Sequence, residues 1–172
     1  FAAMENEQGG TTHLCAADQY GNMVSSTNTL GVNFGTGISV PGTGFPLSAH
    51  LRNLDDSSTP VVNMLMPYAR VRSSTAPTIV ANEDGSPLLA VGAPGNWAIV
   101  NAIGCVISNI IDFDMNVAQA VNAPRFFRES ITRGITVEDR YSDATIAGLE
   151  GFSFRVTPGG DYSGSVSCVS VI

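Results

Sequence analysis

Charged residues are scarce in this sequence. Only 13% of the 172 residues are charged, against about a quarter in ordinary globular domains, while 44% are apolar and 18 are glycine. Part of the surface is therefore expected to lie against a permanent partner polypeptide rather than water. The net charge of −7, with only eight basic residues, leaves no basic stripe for a nucleic-acid backbone or an anionic membrane. We expect neither of these as a partner.

Long apolar runs and cysteine motifs are also lacking. The longest apolar run, residues 98–111, is interrupted by polar residues and is too short to span a bilayer, which predicts a buried helix. Cys15, Cys105 and Cys168 lie far apart without a C-x-x-C pair, so we expect no disulfide framework, no metal site and no cofactor. This cysteine usage favours a reducing, cytoplasmic compartment. A periplasmic or secreted location stays open.

The start of the sequence predicts a boundary. The chain begins with Phe1 and without a signal peptide, which favours a fragment or a processed product. Residues 1–10 are polar and end in Gly-Gly, as expected of a flexible tail that belongs to whatever precedes this domain. The regular pattern begins at Thr11. We therefore divide the chain into a tail, 1–10, and one domain, 11–172, which is long enough to bury a core.

The first regular segment predicts a β-hairpin. Small and β-branched residues at 12–18 and 23–29 flank the sequence QYGN, whose Gly-Asn pair indicates a turn. Pairing across this four-residue loop places Thr29 opposite Thr12 and beside Thr11, to within one residue. Two threonine hydroxyls are therefore expected to meet at one end of the hairpin.

The remaining pattern predicts an α+β fold. Residues 31–75 form a long irregular stretch, and such loops are often functional. A second hairpin of buried strands is expected at 77–81 and 88–93, followed by a helix over 97–113 with Asn96 as its N-cap. Strands followed by helices and further strands favour sheets covered by helices. The other predicted elements are helices at 117–122 and 143–149 and strands at 135–138, 152–156 and 165–172.

Thr11 is a candidate nucleophile. A threonine can act without a Ser-His-Asp triad when its own α-amine, with a pKa of about 7.7–8.0, serves as the general base. This requires cleavage before Thr11, and Gly10 suits such a step because glycine tolerates a strained backbone. The alternative from these residues alone is that Thr11 and Thr12 simply begin a strand.

Several blocks of the sequence resemble the gamma-glutamyltranspeptidase family, in the family's order. They are GTTHLCAADQYGNMVSSTNTLGVNFGTGI (10–38), RSSTAPTIV (72–80), VGAPGN (91–96) and VNAPRF (121–126). The resemblance covers 11–172. It implies a four-layer αββα N-terminal-nucleophile hydrolase fold, completed by a large subunit cleaved from the same precursor.

The resemblance also implies catalytic roles. Thr11 would be the nucleophile, and the hydroxyl of Thr29 would orient it. Gly95 and Asn96 match the Gly-Gly pair whose backbone N–H groups form the family's oxyanion hole, with Asn96 replacing the second glycine. The backbone N–H survives this replacement, while the side chain narrows the approach or adds a donor.

The expected substrate pocket departs from the family pattern. Ser73 and Ser74 match the pair that binds the substrate's α-carboxylate. Gly31, His50 and Asn53 stand where the family usually carries Asn, Gln and Asp around the α-amino group. The carboxylate that would pair with an ammonium is missing. The sequence therefore predicts an acyl group without a free α-amine, or with a different polar group there.

Three other polar residues have structural interpretations. Asp55 could replace the missing carboxylate only if its loop shifts. His13 should point away from the face of Thr12 and is expected to pack rather than to catalyse. Arg125 is expected to anchor a helix end or a carboxylate.

We thus expect a self-processing threonine amidohydrolase or acyltransferase that acts on a small acyl amide bearing a carboxylate. The alternatives are a genuine gamma-glutamyl hydrolase or transferase on glutathione-like donors, a homologue that cleaves a C–C bond in antibiotic biosynthesis, and a pseudoenzyme that never cleaves.

Overall fold

The computed structural model describes residues 10–55, 63–128, 134–162 and 169–172. The chain divides into two compact units. The first combines Phe1–Thr12 with Asn28–Ser74, and the second combines His13–Thr27 with Thr75–Ile172.

The regular elements lie mainly in the second unit. In chain order they are β1 (Thr11–Ala17), β2 (Met23–Thr29), a 3-10 helix (His50–Asn53), β3 (Thr78–Ala81), β4 (Pro87–Gly92), a second 3-10 helix (Asn96–Ala98), α1 (Ile99–Ile111), α2 (Val117–Asn122), β5 (Phe126–Phe127), β6 (Gly134–Val137), α3 (Asp143–Gly151), β7 (Arg155–Pro158) and β8 (Ser170–Val171). This mixture of helices and sheets is an α+β fold. No helix within the described ranges is long and apolar enough to cross a membrane.

The predicted first hairpin is confirmed: β1 pairs with β2. Asp18 fixes the turn, because its carboxylate accepts hydrogen bonds from the backbone N–H of Asn22 (3.0 Å) and from the Asn22 side-chain amide (2.7 Å). The bond from the Asn22 side chain is the main reason why the pKa of Asp18 lies below its ordinary value. Gly21 supplies the positive φ of 83° that this turn requires.

The second hairpin is also confirmed. β3 pairs antiparallel with β4, and β8 adds to the other edge of β4. One face of β4 packs against α1, where Leu89 and Val91 meet Ile99, Ile103 and Val106 in the buried core. These α1 residues recur at the three- and four-residue spacing of one helix face.

The predicted start of α1 is wrong. We expected a helix over 97–113 capped by Asn96, but Asn96 begins a 3-10 helix and α1 starts at Ile99. Asn96 has a φ of 55°, and its side chain makes no capping hydrogen bond. An N-cap residue normally has an extended backbone, so the left-handed backbone at Asn96 excludes that role.

The other face of β4 packs against the first hairpin. Ala90 and Gly92 are buried small residues on this face, and a Cβ at Gly92 would overlap the imidazole of His13. The thiol of Cys15 donates to the carbonyl of Ala90 (3.3 Å), and the hydroxyl of Ser25 donates to the carbonyl of Val91 (3.0 Å). In this part of the second unit, helix α1, the sheet of β3, β4 and β8, and residues His13–Thr27 of the hairpin therefore form three layers.

The C-terminal part forms another small sheet. β5 pairs antiparallel with β6, and β6 pairs parallel with β7 after the crossover through α3.

Three predicted elements of this part are confirmed: the helices at 117–122 and 143–149 and the strand at 135–138. The ends of α3 and β6 differ from the predicted ends by one or two residues. The strand expected at 152–156 starts later, at Arg155, because Phe152 and Ser153 complete the end of α3. Residues 165–168 of the last predicted strand lie outside the described residues, and β5 was not predicted.

A buried carboxylate joins α2 to this sheet. Glu138 is fully buried and forms ion pairs with Arg125 (3.9 Å) and with Arg140. Arg125 also donates to the Val121 carbonyl at the end of α2 (2.6 Å), which confirms its predicted role as an anchor of a helix end.

We predict that Glu138→Gln lowers the stability of the protein substantially. Removing one partner of a buried ion pair leaves the remaining charges uncompensated and typically costs about 3–5 kcal/mol. Chemical denaturation of the full-length protein should show this loss, whereas the exposed control Glu150→Gln should stay near wild type. Equal midpoints for the two variants would contradict the structural role of Glu138.

We also predict an acid-dependent loss of stability through His13. Burial lowers the pKa of His13 from its ordinary value of 6.5, so folding favours the neutral imidazole. The stabilising contribution is present above the ordinary pKa and is lost as the pH falls through the lower folded pKa. Melting temperatures measured from pH 7.5 to 5 should fall less steeply for His13→Gln than for wild type. Identical slopes would show that His13 does not contribute.

Candidate active site

The two threonines predicted to meet do so within the first unit. The hydroxyl oxygens of Thr11 and Thr29 are 2.8 Å apart, and both side chains are partly buried. Thr29 Oγ1 also accepts a hydrogen bond from the Gly31 N–H (3.0 Å). The backbone hydrogen bonds from Leu30 N–H to the Gly10 carbonyl and from Asp18 N–H to the Asn22 carbonyl put Thr29 opposite Thr11, one residue from the predicted register and within the tolerance of that prediction. The Thr29 hydroxyl thus contacts the Thr11 hydroxyl and is itself positioned by the backbone N–H of Gly31.

The peptide before Thr11 is tightly constrained. The carbonyl of Gly10 accepts a hydrogen bond from the Leu30 N–H (3.1 Å), which polarises the bond that a Thr11 hydroxyl would attack. A Cβ at position 10 would lie 2.8 Å from the Val32 carbonyl oxygen, closer than real Cβ contacts come. Only glycine fits here without a shift of the backbone.

His50 lies near Gly31, the residue whose N–H bonds to Thr29 Oγ1. A Cβ on Gly31 would be in van der Waals contact with His50 Nδ1, at 3.4 Å. The φ of Gly31 is 84°, a conformation that suits glycine. The hydroxyl of Ser48 is 2.8 Å from His50 Nδ1 and fixes the ring. Sequence reasoning missed Ser48, because nothing in its spacing marks it as a partner of His50.

Asn53 connects the 3-10 helix to the serine segment. Its side-chain amide donates to the carbonyl of Arg72 (3.1 Å), the residue before Ser73 and Ser74. Asn63, which the sequence did not single out, accepts from the Arg72 N–H (3.0 Å) and donates to the Asn53 carbonyl. Ser73 is exposed and Ser74 is partly buried. Asn53 is therefore engaged with the backbone that carries the two serines.

Asp55 is fixed by its backbone in the same unit. Its N–H donates to the Asn63 carbonyl (2.8 Å), and its carbonyl accepts from the Leu65 N–H (2.7 Å). These two bonds oppose the loop shift that Asp55 would need to take the place of the missing carboxylate.

Gly95 and Asn96 lie in the second unit, at the junction between β4 and the second 3-10 helix. Gly95 has a φ of 132° and Asn96 a φ of 55°, and Asn96 is exposed. Within the described part of the chain, neither N–H donates a hydrogen bond to the protein. Two consecutive free N–H groups in such a turn form a concave site for negative charge.

His13 is partly buried in the second unit, and other side chains engage both of its ring nitrogens. Its Nδ1 is 2.8 Å from Thr27 Oγ1, and its Nε2 is 3.2 Å from Cys15 Sγ.

The described residues contain no group of three or more His, Cys, Asp or Glu side chains that could hold a metal ion.

This chain matches one family model and resembles enzymes that carry related names. The family model described as Gamma-glutamyltranspeptidase matches residues 2–172. The glutathione hydrolase proenzyme of Escherichia coli (strain K12) is 36% identical over 156 residues, which cover 84% of this chain and 26% of that protein. The chain thus spans about a quarter of the length of that relative.

Two solved gamma-glutamyltranspeptidase structures are similar to this chain in both fold and sequence. A highly active mutant of gamma-glutamyltranspeptidase from Pseudomonas nitroreducens is 26% identical, with a TM-score of 0.76, over 94% of this chain and 87% of that one. An acivicin-inhibited gamma-glutamyltranspeptidase is 28% identical, with a TM-score of 0.76, over 93% of this chain and 87% of that one. The latter structure is described as revealing critical roles for its C-terminus in autoprocessing and catalysis.

Proposed function

This chain belongs to the gamma-glutamyltranspeptidase family, and from that premise we propose that it is the catalytic part of a self-processing threonine hydrolase. The observation that carries the proposal is the contact of 2.8 Å between the hydroxyls of Thr11 and Thr29, directly after the constrained peptide of Gly10. The names of the relatives support it, since the similar protein of Escherichia coli is called a proenzyme.

Processing would begin with attack of Thr11 Oγ1 on the carbonyl carbon of Gly10. The C–N bond to Thr11 breaks as the C–O bond forms, which gives an ester and frees the Thr11 amine. Water then hydrolyses the ester, leaving a carboxylate on Gly10 and a free hydroxyl on Thr11. The Leu30 N–H already bonded to the Gly10 carbonyl would stabilise the negative charge on that oxygen.

The mature site would then use the same hydroxyl on a substrate. The Thr11 amine takes the hydroxyl proton, Oγ1 attacks the amide carbonyl, and the leaving amine departs with a proton. By resemblance to the family, the N–H groups of Gly95 and Asn96 would receive the oxyanion. Water resolves the acyl-enzyme in hydrolysis, and an amine resolves it in transfer.

The substrate we propose is an amide-linked acyl group that bears a carboxylate and has no free α-amine. Ser73 and Ser74 would receive the carboxylate, because hydroxyl and nearby N–H groups can satisfy an anion. Asn53 is an amide that already bonds to the Arg72 carbonyl, so it provides no charge for an ammonium. A gamma-glutamyl donor is the second candidate, and a large subunit from the same precursor would complete the enzyme.

Thr11→Ala should abolish processing of the full-length precursor, because only the hydroxyl can attack Gly10. The intact mass after incubation at neutral pH should show two chains for wild type, one of them starting at Thr11, and a single chain for the variant. Thr11→Ser, which keeps a hydroxyl, should still be cleaved, and so should the neighbouring control Thr12→Ala. An uncleaved wild type would overturn the catalytic proposal and favour a binding role.

Gly10→Ala should slow processing by about tenfold or more, since a misplacement that costs about 1.4 kcal/mol in the transition state is enough for that factor. The added methyl would collide with the Val32 backbone and displace the carbonyl from Thr11. A time course of intact mass measures the rate. An unchanged rate would show that the close approach of Gly10 to Val32 plays no part in cleavage.

A further inference from the structure

Phe34 has an unfavourable backbone conformation on the surface of the first unit. The N–H of Gly35 donates to the carbonyl of Val32 (2.9 Å), so residues 32–35 form a turn with Phe34 in its third position. The φ of Phe34 is 59°, which suits glycine or asparagine at such a position and strains a bulky residue. Phe34 is nevertheless 80% exposed. Packing within this chain therefore does not account for a phenylalanine here.

The segment that follows Phe34 exposes three further large apolar residues. They are Ile38, Phe45 and Leu47. Backbone hydrogen bonds join the two arms of the segment. The N–H of Leu47 donates to the carbonyl of Ile38 (2.8 Å), and the N–H of Val40 donates to the carbonyl of Phe45 (3.1 Å). We name residues 34–47 the apolar hairpin. Because its backbone is already paired, it could bind a partner without the cost of ordering a loop.

The sequence around the apolar hairpin is uncharged. Residues 19–51 contain no Asp, Glu, Lys or Arg. The buried centres of protein interfaces are depleted of charged residues and enriched in aromatic ones, whereas surfaces that face water normally carry charge. An exposed, uncharged hairpin with two phenylalanines therefore has the composition of an interface centre.

The position of Gly10 indicates which polypeptide covers this surface. A Cβ at Gly10 would lie 2.8 Å from the Val32 carbonyl oxygen and 3.3 Å from the Asn33 nitrogen, so Gly10 lies against the turn that carries Phe34. All polypeptide that precedes Thr11 in the precursor is joined to the unit at this point. A tethered segment meets a neighbouring surface at high effective concentration, which favours it over a free partner.

We propose that the apolar hairpin is the docking surface for the chain that ends at Gly10, and that it holds this chain after the bond between Gly10 and Thr11 is cleaved. Phe34 is the anchor, and its burial on the partner offsets the strain of its backbone. This inference rests on the proposed function, because only cleavage turns the preceding polypeptide into a separate chain.

Site-specific photo-crosslinking tests the identity of the partner. The photoreactive residue p-benzoylphenylalanine is placed in the full-length protein at Phe34 or at Phe45. The control position is Phe113, which is 68% exposed but lies between two aspartates. Peptide mapping should show Phe34 and Phe45 positions joined to sequence that precedes Thr11, in higher yield than the control. Cross-links confined to residues 11–172, or equal yields at the three positions, would overturn the proposal.

Dissociation of the processed protein tests the role of Phe34. Phe34→Asn removes the ring but keeps a residue that tolerates the left-handed backbone, and Phe113→Asn is the matched control. In size-exclusion chromatography at a fixed urea concentration, the two chains of Phe34→Asn should separate about tenfold or more faster than those of wild type, because loss of an interface aromatic commonly has that effect. Phe113→Asn should stay within about threefold of wild type. Equal rates for Phe34→Asn and wild type would contradict the anchoring role.

Failure of the enzyme proposal would give a different pattern. Docking needs no cleavage, so an uncleaved full-length protein should still show cross-links from the Phe34 and Phe45 positions to sequence before Thr11. That result would refute self-processing and support the docking surface. An uncleaved protein without those cross-links would overturn both proposals.

Discussion

The register of the first hairpin is the constraint on which the candidate site depends. Successive side chains of a strand point to opposite faces, so a slip of one residue would turn Thr29 away from Thr11. Asp18 prevents such a slip, because its carboxylate holds both the backbone and the side chain of Asn22 across the turn. A surface turn at one end of the hairpin thus fixes the distance between two hydroxyls at the other end.

Between His13 and Thr27 the same hairpin belongs to the second unit and packs against β4. Gly92 and Ala90 lack side chains of any size, which lets His13 and Cys15 approach β4 closely. On the opposite face, Leu89 and Val91 are packed by α1. The alternation of small and large residues along β4 therefore sets how near each neighbouring layer lies.

Local chemistry decided which features could be predicted from the sequence. The first hairpin was predictable because its turn residues act on their immediate neighbours. The bounds of α2 were predicted correctly, and the structure shows a capping box of Asn116 and Gln119 at its start. Asn96 misled the prediction because its residue type suits an N-cap, whereas the left-handed backbone at this position comes from the turn after β4. Ser48 and Asn63 were missed because their partners are set by the path of a long loop, which no local pattern encodes.

The position of Thr11 at the first residue of β1 has a chemical consequence for labelling. All eight basic residues of the sequence are arginines, and a guanidinium remains protonated where an amine does not. Cleavage before Thr11 would therefore leave residues 11–172 with one primary amine, at the end of the strand that carries the nucleophile. An amine-directed acylating reagent would attach a fluorophore or a mass tag to residues 11–172 at that single nitrogen, without an engineered site. Because residues 11–172 contain no lysine, a label on this amine would lie at the first residue of β1, beside the Thr11 hydroxyl.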